Sequence, residues 1–164
     1  MNHDPADIMF RVVGLPVSAP RQVNRDRFMP SDHVLRYRAW KDLVRIEAKK
    51  HFRQPWEGAV ALSAVFLMPI PQSWTKARKD AAVTDRIIHV SKPDLDNLVK
   101  ALKDALNGVA WKDDTQVWAY VEPLCKLYAP REQCGAQVRI VMDEADLTRW
   151  PDNVIALSYP RGIQ

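Results

Sequence analysis

A ten-residue apolar run, residues 59–68, restricts the fold of this chain more than any other feature. Only Ser63 interrupts the run, and Pro69 and Pro71 follow it closely. The run is too short to span a bilayer and too hydrophobic for the edge of a sheet, so it predicts a central β-strand. Such a strand needs neighbouring strands and helices packed on the sheet, which indicates an α/β fold.

Two other segments have the periodicity of helices. A helix is expected from residue 32 to about residue 52, because Ser31 suits an N-cap and apolar residues then recur at three- and four-residue spacing, at Tyr37, Trp40, Val44 and Ala48. A second helix is expected within residues 93–106, since the Asn107-Gly108 pair that follows is a typical C-terminal stop.

Shorter segments complete the predicted domain. Residues 8–14, 116–128 and 136–142 have the patterns of strands, and residues 70–92 are expected to form a loop. We therefore expect one α/β domain over residues 1–142, with a mixed β-sheet and two main helices packed on it. Residues 143–164 have no clear period and are expected to be a tail docked on the same domain.

Composition excludes several classes of protein. The chain has 164 residues, 47% hydrophobic and 27% charged, which is typical of one globular domain. It has no apolar run long enough for a membrane span and no signal peptide, so a cytoplasmic location without membrane contact is expected. Cys125 and Cys134 have no histidine partners at metal spacing, which predicts free thiols rather than a zinc site or a disulfide.

The positive charge is concentrated in the first half of the chain. Residues 36–53 carry seven Lys and Arg against two acids, whereas residues 113–152 carry eight acids against four Lys and Arg. A basic half beside an acidic part suits a polyanionic partner together with a metal site. The alternative is that these charges are simply mixed over a solvated surface.

Three groups of basic residues are candidates for DNA contact. The first helix has a basic stripe that could follow a phosphate backbone or could be a solvated face. The loop before the second helix places Trp74 among basic residues, where it could stack on bases or anchor the loop to the core. The candidates are Arg25 in an irregular stretch, Arg38, Lys41, Arg45 and Lys49 on the helix, and Lys76, Arg78 and Lys79 in the loop.

The start of the second helix carries two carboxylates. Pro93 disfavours helix at Lys92, so the chain enters extended, with Asp94 at the cap and Asp96 in the first turn. From these positions both side chains can converge on one point, and the positive end of the helix dipole stabilises them. Taken singly, each could instead be an ordinary helix-start acid.

A second acidic pair, Asp113-Asp114, follows that helix where the chain turns back to the sheet. Adjacent residues of an extended segment point to opposite faces, so only one of the pair is expected to join the first two acids. Three clustered carboxylates need a cation, and their hard oxygen ligands select Mg²⁺, with Mn²⁺ as a possible substitute. Lys100, one turn after Asp96, could stabilise charge on a phosphate or form a surface ion pair.

The segment DLDNLVKALKDALNG, followed after a short spacer by DDTQV, resembles the core motif of the RusA-type Holliday-junction resolvases, crossover-junction endodeoxyribonucleases common in phages and prophages. A looser resemblance covers residues 8–142 and includes the Asn24-Arg25 pair. The resemblance implies an α/β sandwich that forms a symmetric homodimer and cuts four-way DNA junctions with Mg²⁺, in DNA recombination and repair. It also implies that the catalytic, metal-binding carboxylates are Asp94, Asp96 and Asp114, and that Lys100 is the essential lysine.

Two alternatives to a junction resolvase remain open. A metal nuclease of the same fold could act on other branched DNA, such as flaps or forks. A dimer that keeps the fold could bind DNA without cutting it, and metal-dependent nicking would distinguish the two kinds of protein. The tail after residue 142 matches no pattern of the family, and the loop over residues 70–92 is longer than in its shortest members.

Overall fold

The computed structural model describes residues 6–20, 29–84 and 87–143. Within these ranges the chain forms a single four-stranded sheet with three α-helices, in the order β1, α1, β2, α2, α3, β3, β4. The strands are β1 Ala6–Val13, β2 Ala59–Pro69, β3 Val117–Ala129 and β4 Gly135–Asp143, and the helices are α1 Asp32–Ala48, α2 Lys76–Val83 and α3 Leu95–Leu106. The expected mixed α/β domain is confirmed.

The sheet has the strand order β1-β4-β2-β3, which places β2 in its interior. It pairs antiparallel with β4 and parallel with β3, and every residue from Val60 to Phe66 is buried. Its single polar side chain, Ser63, donates a 2.7 Å hydrogen bond to the carbonyl oxygen of Pro123 on β3. The prediction of a central strand is therefore confirmed, and β2 is buried on both of its faces.

Helix α1 begins where the sequence indicates and ends earlier. The side chain of Ser31 accepts a hydrogen bond from the amide of Val34 at 3.4 Å, and the apolar stripe of α1 is buried. The expected end near residue 52 was wrong, because the helix stops at Ala48. The amides of His51 and Phe52 both donate to the carbonyl of Ala48, so the last turn tightens and directs Phe52 into the core.

The segment expected to be a loop contains helix α2, which corrects that prediction. Thr75 is its N-cap, and its hydroxyl accepts a hydrogen bond from the amide of Arg78 at 3.4 Å. The helix has only eight residues and buries only Ala82, so it has no apolar periodicity that the sequence could reveal. A capping threonine was the one available signal.

Helix α3 packs against α1 and leads back to β3. Its buried side includes Leu98, Leu102 and Leu106, and Gly108, just after its end, has a φ of +76° that favours glycine. Because β2 and β3 are parallel, the connection between them needs a crossover, and α2 and α3 lie within it. This topology places the segment before α3 near the end of β3, where Lys126 bonds to the carbonyls of Ser91 and Pro93, and the end of α3 near the start of β3.

Other sequence predictions have different outcomes. Neither Cys125 nor Cys134 forms a disulfide among the described residues, and burial raises the pKa of Cys134. No helix in the described part of the chain is long and apolar enough to cross a membrane. Arg25 and the proposed docked tail lie outside the described residues.

Candidate active site

Asp94 and Asp96 occupy the positions at the start of α3 that the sequence predicts. Asp94 is the N-cap, with an extended backbone (φ −69°, ψ 144°), and Asp96 lies in the first turn. Both are exposed, and neither side chain forms a hydrogen bond or ion pair with any residue that the structure describes. Their carboxylates therefore have oxygen lone pairs available for a ligand.

The acidic pair after α3 divides into two different environments. Asp113 is exposed and caps the short 3-10 turn Asp114–Gln116, accepting hydrogen bonds from the amide and hydroxyl of Thr115 at 2.9 and 2.6 Å. These bonds lower the pKa of Asp113. Asp114 is half-buried, and its Oδ1 accepts a 2.9 Å hydrogen bond from Nε1 of Trp111. The two side chains therefore have separate partners, as expected for adjacent residues.

Gln116, which the sequence analysis did not single out, holds this turn in place. Its Oε1 accepts hydrogen bonds from the amides of Lys112 and Asp113 at 2.8 and 2.9 Å. Its Nε2 donates to the carbonyls of Trp56 and Gly58 at 2.9 and 2.8 Å. All four bonds involve backbone groups, so Gln116 fastens the turn that carries Asp114 to the segment entering β2. The only sequence signal was an Asp-x-x-Gln capping box.

One open cleft of about 600 Å³ contains several of the predicted site residues. Asp96, Lys100 and Asp114 line it together with Asp104 and Tyr120. Asp96, Lys100 and Asp104 follow one another at four-residue spacing, so they lie on the same face of α3. The cleft thus combines acids from the helix and from the 3-10 turn with one lysine.

Asp94 borders a neighbouring cleft of about 550 Å³, lined also by His33, Arg36 and Lys92. Within residues 6–20, 29–84 and 87–143 no three His, Cys, Asp or Glu side chains form a group that could hold a metal ion. The structure therefore brings Asp96, Asp114 and Lys100 to one cleft, whereas Asp94 lines a different one. The assignment of all three acids as metal ligands stays a prediction.

The donor set suits Mg²⁺. It consists of carboxylate oxygens alone, and the indole of Trp111 occupies only one oxygen of Asp114. Mg²⁺ keeps several waters and is commonly held by one or two protein carboxylates plus phosphate oxygens of the substrate. Two carboxylates lining one cleft, with a third close by in sequence, fit that mode without an all-protein cage.

Asp104, which lines this cleft, connects α3 to α1. The hydroxyl of Tyr37 donates a 2.6 Å hydrogen bond to Oδ2 of Asp104, and burial together with this bond raises the pKa of Tyr37. Lys41 Nζ lies 5.2 Å from the centre of the Tyr37 ring, and burial, then the charge of Arg45, lowers the pKa of Lys41. Arg45 donates to the carbonyl of Ala105 at 3.3 Å. From the sequence, Asp104 was expected only as a possible ion-pair partner of Lys100.

The predicted DNA-contacting residues differ in how they are placed. On α1, Arg38 and Lys49 are exposed, whereas Lys41 and Arg45 are half-buried against α3. On α2, Lys76 and Arg78 are exposed and Lys79 is half-buried. The guanidinium of Arg78 lies 3.9 Å from the ring centre of Trp74, and that indole meets buried Tyr128 edge-on at 5.0 Å. Trp74 therefore packs onto the sheet, which favours the anchoring role.

Comparison with known proteins agrees with this geometry. The family model described as endodeoxyribonuclease RusA matches residues 14–140. The uncharacterized protein YqaN of Bacillus subtilis (strain 168) is 33% identical over 115 residues, which is 67% of this chain and 81% of that protein. The family match covers most of the chain and includes both acidic segments and the whole of α3. This chain belongs to the RusA family of endodeoxyribonucleases.

Proposed function

We propose that this protein is a Mg²⁺-dependent endonuclease that resolves four-way DNA junctions as a homodimer. The observation that carries the proposal is the cleft that Asp96 and Asp114, from two separate elements, line together with Lys100. Among the described residues, neither Asp96 nor Lys100 forms an ion pair. Exposed, unpaired charges of both signs suit a site that binds a phosphate and a cation.

Each residue has a distinct role in the proposed reaction. Asp94, Asp96 and Asp114 would hold Mg²⁺, which, when bound, supplies a more acidic water and polarises the phosphodiester. Trp111 and Gln116 hold Asp114 in the cleft through the contacts described above. Lys100 places an ammonium group where negative charge develops on the phosphate. Tyr37 fixes Asp104 at the cleft wall, so that α1 and α3 keep their spacing when DNA binds.

We infer the junction substrate from the family and from the two-fold symmetry that a dimer shares with a four-way junction. A four-way junction has approximate two-fold symmetry, and an isologous dimer presents two matching sites to opposed strands. Helix α1 has an exposed apolar stripe that supports association: Leu35, Leu43 and Ile46 lie on one side of the helix and are 50%, 45% and 60% exposed. The basic residues of α1 and α2 would then contact the arms.

A cleavage assay on matched substrates tests this function. A static four-way junction, a fork and a linear duplex of the same arm sequence are each incubated with Mg²⁺, with Mn²⁺ or with a chelator. We expect paired nicks in the junction only when the metal is present. Equal cutting of the fork would change the substrate to branched DNA in general. Tight junction binding without any nick would indicate a non-catalytic DNA-binding dimer.

A further inference from the structure

A lysine of the sheet contacts the segment directly before Asp94. Lys126, on β3, donates two hydrogen bonds through Nζ, one to the carbonyl oxygen of Ser91 and one to that of Pro93, each 2.8 Å long. The side chain is half-buried, and it forms no ion pair with any described acid. Its charge is therefore directed at two backbone dipoles and not at a carboxylate.

The two carbonyls lie on either side of Lys92 and close to the candidate site. The carbonyl of Pro93 belongs to the peptide unit that joins Pro93 to Asp94, so its direction determines where the backbone of Asp94 begins. Asp94 does not hold itself in place, because its side chain makes no capping bond and its carbonyl only accepts the first helical bond, from Leu98 at 3.2 Å. Lys126 supplies the missing constraint from the sheet.

A second β3 residue supports the same segment. The hydroxyl groups of Tyr128 and Ser91 lie 3.4 Å apart, and Tyr128 is buried against His89 with ring centres 4.4 Å apart. Lys126 and Tyr128 are two residues apart on one strand, so they face the same side of the sheet. The segment from Ser91 to Pro93 is thus fastened to β3 through two backbone carbonyls and the hydroxyl of Ser91.

We propose that Lys126 is a positioning residue, which fixes the backbone before Asp94 so that the Asp94 carboxylate is set for metal binding. The use of Asp94 as a metal ligand rests on the proposed function. The clamp, by which we mean the two hydrogen bonds from Lys126 to the carbonyls of Ser91 and Pro93, rests on the structure alone. Charge-assisted bonds to backbone carbonyls are strong enough to hold such a turn. Removing a group that orients a metal ligand typically costs about ten- to a hundredfold in metal affinity or activity.

The kinetic test compares Lys126→Met, Lys126→Arg and Lys112→Met with the wild type on a static junction. Methionine keeps the length of the stem without its donors, and arginine keeps a cationic donor. Lys112 is the matched control, because its loss also removes one charge near an acidic turn but breaks only the surface pair with Glu57. We expect kcat to fall about ten- to a hundredfold in Lys126→Met with little change in KM, partial recovery in Lys126→Arg and normal kcat in Lys112→Met.

The salt dependence of junction affinity without metal separates positioning from a DNA contact. A lysine that contacts a phosphate lowers the slope of log K against log [salt] by about one when it is removed. We expect the slope of Lys126→Met to equal that of the wild type. A slope that falls by one, with kcat unchanged at saturating DNA, would overturn the proposal and make Lys126 a DNA contact.

Two further measurements do not depend on cleavage. Hydrogen exchange of the DNA-free protein should show faster exchange at the amide of Leu98 in Lys126→Met and not in Lys112→Met. Tb³⁺ titration, followed by luminescence sensitised by Trp111, should show weaker binding in the same variant. Unchanged exchange in the folded variant would overturn the clamp even if the wild type cuts no DNA, so failure of the clamp and failure of the proposed function are distinguishable.

Discussion

The indole nitrogen of Trp111 donates a 2.9 Å hydrogen bond to Oδ1 of Asp114, so a completely buried side chain holds a carboxylate at the edge of the cleft. Trp111 also forms isolated bridges with Trp56 and Asn107 through its backbone. The orientation of Asp114 is therefore coupled to the hydrophobic core. This coupling has a consequence that mutation can test.

Trp111→Phe should reduce cleavage by removing the donor to Asp114. The loss of a buried ring also costs stability, about 1–3 kcal/mol. Trp40→Phe is the matched control, because Trp40 is equally buried and its Nε1 has no hydrogen-bond partner among the described residues. Urea unfolding and junction cleavage of both variants provide the comparison. Equal loss of activity in the two would mean that the bond to Asp114 has no catalytic consequence.

Asp94→Asn, Asp96→Asn and Asp114→Asn should each lose most junction cleavage, because asparagine keeps the shape but not the charge that holds Mg²⁺. Binding without metal should persist or tighten, since a negative charge near the phosphates is gone. Asp113→Asn is the control: asparagine can still accept the bonds from Thr115, and cleavage should be only mildly affected. Near-normal cutting by the folded Asp94 and Asp96 variants would end the metal-site assignment.

Arg38 and Lys49, the exposed residues of the basic stripe on α1, should supply most of what this helix contributes to DNA affinity. In the double variant Arg38→Ala/Lys49→Ala, the slope of log K against log [salt] should fall by about two. Lys50→Ala is the control, because Lys50 lies outside the predicted basic stripe. Electrophoretic mobility shifts at four salt concentrations give the slopes. If the slope of the double variant does not change, this side of α1 is a solvated face.

Assembly should depend on the exposed apolar stripe of α1. Ile46→Asp places a charge on the stripe and should shift the protein from dimer to monomer, because burying an unpaired carboxylate in an interface is costly. Val83→Asp, at another exposed apolar position on a different helix, should leave the assembly unchanged. Light scattering at assay concentrations measures both. A wild-type monomer would refute the dimer itself.

His89 should make stability depend on pH. Burial, and then the charge of Lys126, lowers the pKa of His89 below its ordinary value of 6.5. As the pH falls through 6.5, His89 therefore binds a proton in the unfolded chain before it does so in the folded protein. The free energy of unfolding decreases until the pH reaches the lower pKa of His89 in the folded protein. Urea midpoints at pH 7.5 and 5.5 should differ more in the wild type than in His89→Phe. The same difference in both proteins would show that other groups cause the dependence.

The sequence by itself determined those features that depend on local chemistry. The apolar run around Ser63 required an interior strand, Ser31 marked the start of α1, and Pro93 placed Asp94 at a helix cap with Asp96 in the first turn. The spacing of four residues likewise put Lys100 on the face of Asp96. Each of these follows from backbone sterics, capping or periodicity within a few residues, and a linear sequence contains that information.

Only the tertiary structure decided how distant segments meet. The parallel pairing of β2 with β3 places Asp114 in the cleft that Asp96 also lines, and it brings Lys126 within hydrogen-bond distance of the carbonyls of Ser91 and Pro93. Asp104 gained its role from Tyr37 on another helix, and Gln116 from backbone groups near residue 57. Helix α2, which buries only Ala82, had no periodic signal at all. Contacts between residues far apart in sequence depend on strand order and register, which no local pattern specifies.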